Sequence, residues 1–386
     1  MATNKLLNIA FLSTCPPREC ALTTFTEDLM DAIDTIGIVD TNFIAINNSV
    51  KRKYNNKVIY DIQQDNQQDY IDLALKLNDS NIDLLVIQYE YGIYGGDNGN
   101  YILDLLNNIE IPVVTILQTV LKNPSDEQKS IVKFLGDRSA KLITMARNTS
   151  KLLKTLYGIS PYKIEVIQHG VPVKTLPSRE ALKLQFGYED KQLISTFGFL
   201  NPSKGIEYAI KAIAKLSEID PNVLYLILGQ THPDQTDEAY REKLEALVKK
   251  LHIENNVKFI DKYLTKDEVV KYLQMSDIYM TPYLSRDLTI SGTLAYAIGY
   301  GKAIISTPYM YAKEMLAEKR GLLAKFENPA SIFNGLKYIL HNPEEKLRME
   351  TNTLKLGETM YWDVIAKNYT SVFFKAIILD PKTDVI

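Results

Sequence analysis

Residues 281–308 read TPYLSRDLTISGTLAYAIGYGKAIISTP and carry the clearest structural pattern in the sequence. The pattern predicts the end of a strand, a polar loop, a helix of small residues and a second strand. Backbone N–H groups at the start of a helix lack partners within it, and the helix dipole favours negative charge there. Ser291 and Thr293 suit a helix start, and Gly292 lets a ligand approach the backbone. The stretch therefore predicts an anion site, with an ordinary capped helix as the alternative.

Length and composition indicate a soluble globular chain of two domains. A chain of 386 residues exceeds what one ordinary core holds, and 46% of the residues are hydrophobic. The net charge of −3 and the lack of a long basic run give no indication of nucleic acid. The apolar runs have the length of strands and residues 1–8 do not resemble a signal peptide, so a cytoplasmic protein is expected.

The cysteines and histidines do not predict a metal site. Reduced thiols are expected for Cys15 and Cys20, the two cysteines of the sequence. None of the four histidines stands at ligand spacing to a cysteine. We therefore expect that no metal is bound.

Strand-length apolar segments alternate with amphipathic segments along the chain, which predicts parallel sheets covered by helices on both faces. The predicted strands of the first half are residues 7–13, 42–46, 84–88, 113–117, 142–145 and 164–168, with helices at 24–36, 67–77 and 101–106. The pattern repeats after residue 192, with strands at 193–197, 223–228, 257–260, 278–281 and 303–306 and helices at 205–216 and 237–252. Two similar domains are therefore predicted, followed by a long aromatic helix at 361–376.

The helix predicted at 237–252 carries Lys243, Lys249 and Lys250 opposite an apolar stripe. Such a helix can lie in a membrane interface, but the same arrangement is found on the solvated face of an ordinary surface helix. We expect the solvated face, so membrane contact is open but not indicated.

The loops after the first strands of the two domains differ in chemistry. The first is Ser13–Arg18 and lacks the Gly-x-Gly-x-x-Gly turn of NAD-binding folds, and Gly301-Lys302-Ala303 does not complete a phosphate-binding loop. The corresponding loop of the second domain, residues 198–205, reads GFLNPSKG. There Lys204 can neutralise a diphosphate, although a lysine at a helix start is often merely solvated. Together with the helix start at Ser291–Thr293, it predicts a site for a nucleotide or a sugar phosphate.

Four segments carry a resemblance to a known family. They are GFLNPSKGIEYAIKA at 198–212, VIQHG at 166–170, LAYAIGYGKAIIST at 294–307, and Glu314 followed by Arg320-Gly321-Leu322-Leu323. Taken in their order along the chain, these segments resemble family 4 of the retaining glycosyltransferases, which have the GT-B fold. The start Pro16-Pro17-Arg18-Glu19-Cys20 and the helix Ser291–Tyr296 resemble those of a bacterial subgroup.

The resemblance implies an α/β architecture of two Rossmann-like, doubly wound domains that face a cleft. It implies an acceptor-binding domain at residues 1–172, a donor-binding domain at 173–360 and a C-terminal helix at 361–386 that packs back on the first domain. The donor is a nucleotide sugar that is used as a substrate, the acceptor is a carbohydrate, and no metal or other cofactor is required.

The resemblance also implies roles for individual residues. The donor phosphates and sugar would be bound by Lys204, Ser291, Gly292, Thr293, Asp287 and Glu314, and the nucleoside would be bordered by Lys262, Tyr263 and Leu264. On the acceptor side the candidates are Arg18, Thr23, Thr24, Tyr89, Glu90, Tyr91, Gln118, Arg147 and His169. For several of these a structural role is equally open: the tyrosines can belong to the core, Arg147 can pair with a surface carboxylate, and His169 can be a hydrogen-bonded structural histidine.

Four positions depart from the usual pattern of the family. Asp287 and Ala295 stand where two glutamates are expected. The second glutamate normally binds the ribose diol, which an alanine cannot do, so another group such as Glu314 would have to take over this contact. Phe199 stands where an arginine often contacts the diphosphate. Gln118 stands where a histidine often lies near the sugar, and an amide cannot take a proton at neutral pH.

The sequence thus predicts a retaining hexosyltransferase. The resemblance suggests GDP-mannose as the first donor to consider, and therefore mannosyl transfer. Two alternatives stay open. One is a sugar phosphorylase of the same fold that uses inorganic phosphate. The other is a carbohydrate-binding or partner subunit whose catalytic site has decayed.

Overall fold

The computed structural model describes residues 6–18, 20–48, 52–231 and 238–378, and the chain divides into two compact units. Unit 1 extends to Gly170 and also contains the C-terminal helix, which begins at Trp362. Unit 2 extends from Val171 to Tyr361. Glu19, Asp237 and residues 379–386, which the sequence assigns to a motif, a helix and the C-terminal segment, lie outside the described residues.

Unit 1 is built on a parallel sheet with helices between its strands. Its described strands are β1 Leu7–Ser13, β2 Val39–Asn47, β3 Val58–Gln63, β4 Leu84–Tyr89, β5 Val113–Leu117, β6 Lys141–Thr144 and β7 Ile164–Val166. Its first helices are α1 Ala21–Asp34, α2 Gln67–Asn78, α3 Ile102–Asn108, α4 Asp126–Arg138 and α5 Arg147–Thr155. The strand order β3-β2-β1-β4-β5-β6-β7 is that of a doubly wound Rossmann-like sheet.

The central strands of this sheet are buried on both faces. Every residue of β4 is buried, because helices cover the sheet from both sides. β3 lies at the edge and exposes alternate residues, so its sequence lacks the continuous apolar run of a central strand. This is why the sequence pattern did not predict β3.

Unit 2 repeats the architecture. After α6 Arg179–Phe186, its described strands are β8 Gln192–Phe197, β9 Val223–Leu228, β10 Val257–Ile260, β11 Ile278–Thr281, β12 Ala303–Ser306 and β13 Leu322–Leu323. Its other helices are α7 Ile206–Ser217, α8 Ala239–Lys250, α9 Lys266–Met275, α10 Gly292–Gly299, α11 Met310–Met315, α12 Pro329–His341 and α13 Pro343–Gly357. The order β10-β9-β8-β11-β12-β13 is again that of a Rossmann-like sheet, so the prediction of two doubly wound domains is confirmed.

The last helix, α14 Trp362–Ile378, belongs to unit 1 although it follows unit 2 in the chain. Phe373 packs edge-on against Phe11 of β1, with ring centroids 6.0 Å apart. The Trp362 ring lies 5.4 Å from that of Phe25 in α1. The predicted return of the C-terminal helix to the first domain is therefore confirmed for its described residues.

Helix α8 uses its apolar stripe within unit 2. Leu244 and Val248 are buried in the same core cluster as the strands β8 and β9. Lys243 lies on the exposed side and pairs with Glu207 at 3.2 Å. This arrangement fits the solvated face expected for α8, and within the described residues no helix is long and apolar enough to cross a membrane.

Gly170, the last residue of the VIQHG segment, is fixed by its contact with Trp362. A Cβ atom at residue 170 would lie 2.2 Å from the Trp362 ring. We expect Gly170→Ala to lower the stability of unit 1 by about 1–3 kcal/mol, because neither the backbone nor the buried ring has room to move. Fluorescence of Trp362, the single tryptophan of the chain, reports this unfolding.

Gly92→Ala is the matched control. No atom lies within 4 Å of a Cβ atom built at Gly92. Its effect should stay within about 0.5 kcal/mol. Equal stability of the two variants would contradict the packing seen around Trp362.

Candidate functional site

The candidate site of unit 2 lies where the strand order of its sheet reverses. β8 and β11 are neighbours, with Ile194 opposite Ile278, and the chain continues from them toward opposite edges of the sheet. In open α/β sheets, ligands bind beyond the carboxyl ends of the strands at this reversal. The loops that follow β8 and β11 are therefore the first place to look for a site.

The loop after β8 is held against the loop after β11. Gly205 has a φ of +61°, and a Cβ atom there would lie 2.3 Å from the carbonyl oxygen of Pro282. The backbone N–H of Leu284 donates to the carbonyl of Ser203 at 2.8 Å. Glycine is required because its backbone has to be left-handed and to approach another chain segment closely. This contact fixes the position of Lys204.

Helix α10 starts beside Lys204. Ser291 caps the helix, and its hydroxyl accepts the N–H of Leu294 at 3.3 Å. Of the N–H groups that the first turn cannot satisfy, those of Gly292 and Thr293 are the ones that can donate to a ligand. A Cβ atom at Gly198 would lie 3.5 Å from Thr293 Cγ2 and 3.8 Å from Lys204 Nζ. The structure thus brings together the two anion-binding elements that the sequence predicts separately.

Tyr283 links these two elements, and sequence reasoning missed it. Lys204 Nζ lies 4.0 Å from the centre of the Tyr283 ring. The Tyr283 hydroxyl shares a hydrogen bond of 2.8 Å with Thr293 Oγ1. Its ring stacks on Tyr309 with centroids 5.7 Å apart. The signal was available, because Tyr283 follows β11 by two residues in the opening stretch, where side chains reach the carboxyl edge of the sheet.

Position 295 does not face the site. Ala295 is 0% exposed and belongs to the buried face of α10. Tyr296, in contrast, shares the partly exposed face with Gly292 and Thr293, and its ring lies 6.1 Å from that of Phe197. Ala295 therefore offers no polar group for a ribose, as the sequence predicts, whereas Tyr296 lies on the accessible face of the helix.

The two predicted sugar-binding carboxylates lie on one connected segment. Asp287 is exposed in the loop before α10, and Glu314 is partly buried in α11. That loop is fixed to α11, because the N–H of Met310 donates to the carbonyl of Arg286 at 3.1 Å. Asp287 and Glu314 are thus placed by the same loop and helix.

The three residues of the predicted nucleoside-binding segment after β10 have different surroundings. Lys262 forms an ion pair with Glu268, which raises the pKa of the lysine. Leu264 is partly buried and packs against a buried hydrophobic cluster. Tyr263 is exposed, and its ring lies 6.0 Å from that of Phe199. Phe199, which replaces the expected arginine, therefore forms an aromatic pair beside the loop of Lys204.

In unit 1, the residues predicted around α1 form a local hydroxyl and thiol cluster. Cys20 caps α1, with its Sγ 3.1 Å from Thr23 Oγ1 and 3.3 Å from Thr14 Oγ1. Thr23 donates to Thr14 at 3.0 Å, and Thr24 donates to the carbonyl of Cys20 at 3.3 Å. Thr23 is thus a buried structural residue. Arg18 differs, because its buried Nη1 has no hydrogen-bond partner among the described residues.

The predicted aromatic and acidic candidates after β4 separate in the structure. Tyr89 is fully buried, donates to the carbonyl of Asn98 at 3.2 Å and stacks on Tyr94, so it is a core residue and not an acceptor contact. Tyr91 packs edge-on against Tyr89 with centroids 5.3 Å apart and is partly buried. The sequence left this core role open for both tyrosines.

Glu90 is the titratable group of this edge of the sheet. It accepts hydrogen bonds from the Thr119 hydroxyl at 2.5 Å and from the N–H of Tyr91 at 3.2 Å. Burial raises the pKa of its carboxyl, and these two bonds oppose the rise. Gln118 lies next to it and donates to Gln88 at 2.8 Å. Glu90 and Gln118 therefore lie at the ends of β4 and β5, as predicted.

The two remaining candidates have different settings. Arg147 is exposed at the first residue of α5. His169 packs against the ring of Phe25 at 5.1 Å and that of Trp362 at 6.4 Å. Its Nδ1 donates to the carbonyl of Gly170 at 2.7 Å, and burial lowers its pKa to about 4. His169 is therefore a neutral histidine at physiological pH, which fits the structural role left open by the sequence.

The comparisons with known proteins agree with this architecture. Residues 179–356 match the family model described as "Glycosyl transferases group 1". HepE of Anabaena, solved in complex with UDP and glucose, superposes with a TM-score of 0.75 at 14% identity, covering 96% of this chain and 100% of that one. The fold is therefore the GT-B fold, and residues 179–356 are similar to the group 1 glycosyl transferases.

Two curated relatives match over part of their length. An uncharacterised glycosyltransferase of Methanocaldococcus jannaschii is 25% identical over 64% of this chain and 62% of its own. A D-inositol 3-phosphate glycosyltransferase of Corynebacterium glutamicum is 26% identical over 60% of this chain and 57% of its own. The chain thus spans about three fifths of the length of these relatives.

The environment of His169 predicts a pH-dependent stability for unit 1. The unfolded histidine takes up a proton near pH 6.5, whereas the folded one does so only near pH 4. Its contribution is therefore complete above pH 6.5 and is lost as the pH falls toward 4. We expect a loss of up to about 3 kcal/mol over this range, at 1.4 kcal/mol per pKa unit.

Urea unfolding followed by Trp362 fluorescence at pH 7 and pH 4.5 measures this loss. His169→Gln, which keeps a donor but no titrating ring, should remove the pH-dependent part. His341→Gln, at an exposed histidine, is the control and should leave it unchanged. An unchanged pH dependence in His169→Gln would contradict the neutral state of His169.

Tyr283 predicts how firmly Lys204 is held for an anion. Tyr283→Phe keeps the ring beneath Lys204 but loses the bond to Thr293, whereas Tyr283→Leu loses both. Because a desolvated cation–π contact is worth about 1–2 kcal/mol, Tyr283→Leu should bind inorganic pyrophosphate roughly 5- to 30-fold more weakly than Tyr283→Phe. Isothermal titration calorimetry measures this ratio, and equal affinities would show that the ring does not position Lys204.

Proposed function

We propose that the protein transfers a hexosyl group from a nucleoside-diphosphate sugar to a carbohydrate acceptor, with retention at the anomeric carbon. In this proposal unit 2 binds the donor and unit 1 binds the acceptor. The observation that carries it is the approach of Lys204 and the start of α10 to the same space beside Gly198.

The chemistry of this space suits a diphosphate. Lys204 supplies a full positive charge, and the N–H groups of Gly292 and Thr293 supply two directed donors at the positive end of a helix dipole. Tyr283 holds the ammonium and the helix start in one geometry before the ligand arrives. Preorganised donors of this kind favour the charge that develops on a leaving group.

The proposed reaction needs little beyond this stabilisation. The bond between the anomeric carbon and the diphosphate oxygen breaks, and the acceptor oxygen bonds to the anomeric carbon on the same face of the sugar. The acceptor proton passes to the departing diphosphate oxygen. A strong protein base is therefore not required, and Gln118 in place of a histidine is compatible with the reaction.

Hydrogen bonds on the side of unit 1 fit a polyhydroxylated acceptor. Glu90 has the acceptor oxygens for sugar hydroxyls, and Thr119 and Tyr91 keep its carboxylate in place. Gln118 supplies an amide in the same region. Tyr89, Thr23 and Leu264 are left out of the proposed site because the structure assigns them to the cores or to local caps.

The donor base has an aromatic candidate surface. Phe199 and Tyr263 present two rings 6.0 Å apart, and a planar base can stack on such a surface. The family resemblance suggests GDP-mannose, whereas HepE binds UDP in its solved complex. We propose a nucleoside-diphosphate hexose as the donor class and take GDP-mannose as its first member.

Turnover of GDP-mannose and UDP-glucose by the purified chain tests the proposal. Released nucleoside diphosphate is measured with a panel of sugar acceptors and with EDTA present, since no metal is proposed. Lys204→Ala should lower turnover by about 30- to 1000-fold, because losing one charge contact in the transition state costs about 2–4 kcal/mol. Lys215→Ala, at an exposed lysine of α7, is the charge-matched control and should retain full turnover.

The alternatives give different results in the same experiment. A phosphorylase would release sugar phosphate from a disaccharide and inorganic phosphate without any nucleotide. A decayed binding subunit would bind nucleotide or sugar but turn over neither donor. Equal turnover by Lys204→Ala and the wild type would overturn the proposed role of the Lys204 site.

A further inference from the structure

A cavity of unit 2 lies apart from the Lys204 site. Its volume is about 500 Å³, and its walls include Val173, Arg179, Lys302, Leu347, Glu350 and Leu354. Lys302 directly precedes β12, so this cavity opens at the amino edge of the sheet, whereas the loop of Lys204 follows the carboxyl end of β8. A volume of this size is in the range of small-molecule sites.

Arg179 and Glu350 form part of the floor of the cavity and are joined by ion pairs to further charged side chains that do not line it. Arg179 contacts Glu350 at 2.6 Å, and Lys183 contacts Asp277 at 2.5 Å. Lys346 also reaches Asp277, at 3.2 Å. Each carboxylate is thus already shared by basic side chains that are largely withdrawn from water.

Lys302 adds a further basic group to this floor and has no carboxylate of its own within ion-pair distance among the described residues. Only 2% of its surface is exposed, and its Nζ donates to the carbonyls of Gln274 and Ser276 at 3.1 and 3.4 Å. Both carbonyls belong to the end of α9, where the helix dipole favours a cation. Lys302 is thus held in place by backbone groups.

The charges of this cluster do not balance. Four basic side chains, namely those of Arg179, Lys183, Lys302 and Lys346, surround the two carboxylates of Asp277 and Glu350. Burial, Arg179 and Lys346 lower the pKa of Lys302 to about 7, while Glu350 and Asp277 oppose this shift. Buried cations in excess of their partners are costly, so an anion entering the cavity would relieve the imbalance.

A donor is also left unused. Arg179 Nε is buried and has no hydrogen-bond partner within the described part of the chain. The guanidinium group thus retains one N–H for a ligand, although its Nη2 is engaged by Glu350. Arginine N–H groups are well suited to the oxygens of carboxylate, phosphate and sulfonate groups.

The exposed part of the cavity wall includes three aliphatic side chains. Val173, Leu347 and Leu354 line it and are 62%, 64% and 40% exposed. Large exposed aliphatic side chains that share one rim are typical of a binding surface. The cavity therefore combines a cationic floor with an apolar rim.

We propose that this cavity binds a small organic anion, whose charged group contacts Arg179 and Lys302 and whose apolar part lies on Val173, Leu347 and Leu354. The site does not overlap the Lys204 site, and the proposal holds whether or not the chain transfers a sugar. A free small molecule is the proposed ligand, since the cavity volume matches one.

Calorimetric titration with 1-butanesulfonate tests the site, because its charge does not titrate near neutral pH. We expect binding at millimolar concentration, and at least tenfold weaker binding of uncharged 1-butanol. At pH 8 binding should take up close to one proton, because the anion favours charged Lys302, and at pH 6 close to none. Titrations in two buffers of different ionisation enthalpy measure this uptake.

Three variants separate the site from other anion sites. Lys302→Met should abolish the proton uptake and weaken binding at least tenfold, and Arg179→Lys, which keeps the charge but lacks Nε, should also weaken it. Lys204→Ala and Lys355→Met, the latter at an exposed lysine of α13, should bind as the wild type does. Thermal unfolding of each variant establishes that it is folded.

The proposal is overturned if butanesulfonate does not bind, if it binds without proton uptake at pH 8, or if folded Lys302→Met and Arg179→Lys bind it as tightly as the wild type. Loss of binding in Lys204→Ala would also overturn it, because the anion would then occupy the other site. None of these results depends on glycosyl transfer, so failure here is distinct from failure of the proposed function.

Discussion

The close approach of two loops in unit 2 is the constraint on which the candidate site depends. A Cβ atom at Gly205 would lie 2.3 Å from the carbonyl oxygen of Pro282, so only glycine lets the loop after β8 approach the loop after β11 this closely. Any side chain at this position would push the loops apart, and Lys204 would then leave the start of α10. Because β8 and β11 are neighbours in the sheet, no long connection is needed to bring their loops together. A few short contacts thus suffice to assemble the site.

Stacked aromatic side chains support the candidate site from below. Tyr283 stacks on Tyr309, and Tyr309 donates to Thr281 at the end of β11. The hydroxyl of Tyr283 reaches Thr293 on the helix above. A flexible lysine loses conformational entropy when it is fixed, and the ring beneath Lys204 offsets part of that cost before a ligand binds. The site is therefore prepared by packing as much as by charge.

Lysine side chains have different surroundings at the two edges of the sheet of unit 2. At the carboxyl edge, Lys204 lies over a ring and beside open N–H donors, which suits a ligand that brings several negative charges. At the amino edge, Lys302 is buried among other basic groups and bonded to carbonyls. The different surroundings explain why the pKa of Lys302 is lowered to about 7.

The sequence by itself determined the alternation of strands and helices, the two domains and the polar loops at the strand ends. These follow from local periodicity and turn chemistry, which each short segment carries within it. It also predicted Lys204 and the Ser291–Thr293 helix start as two anion-binding elements, and the structure brings these residues close together. The edge strand β3 was not predicted, because its exposed residues alternate and it is not a continuous buried apolar run.

Only the tertiary structure decided which of the candidate site residues lie close together. Tyr89 looks like a ligand contact in the sequence but is buried in the core, Leu264 packs against a core cluster, and Ala295 lies on the buried face of α10. Tyr296 and the Arg179–Lys302 cavity could not be assigned, because their roles depend on neighbours that are distant along the chain. For Tyr283 the sequence offers its place after β11, but not its contact with Lys204. Burial and proximity are properties of the folded chain, and they alone distinguish a residue that packs from one that can bind.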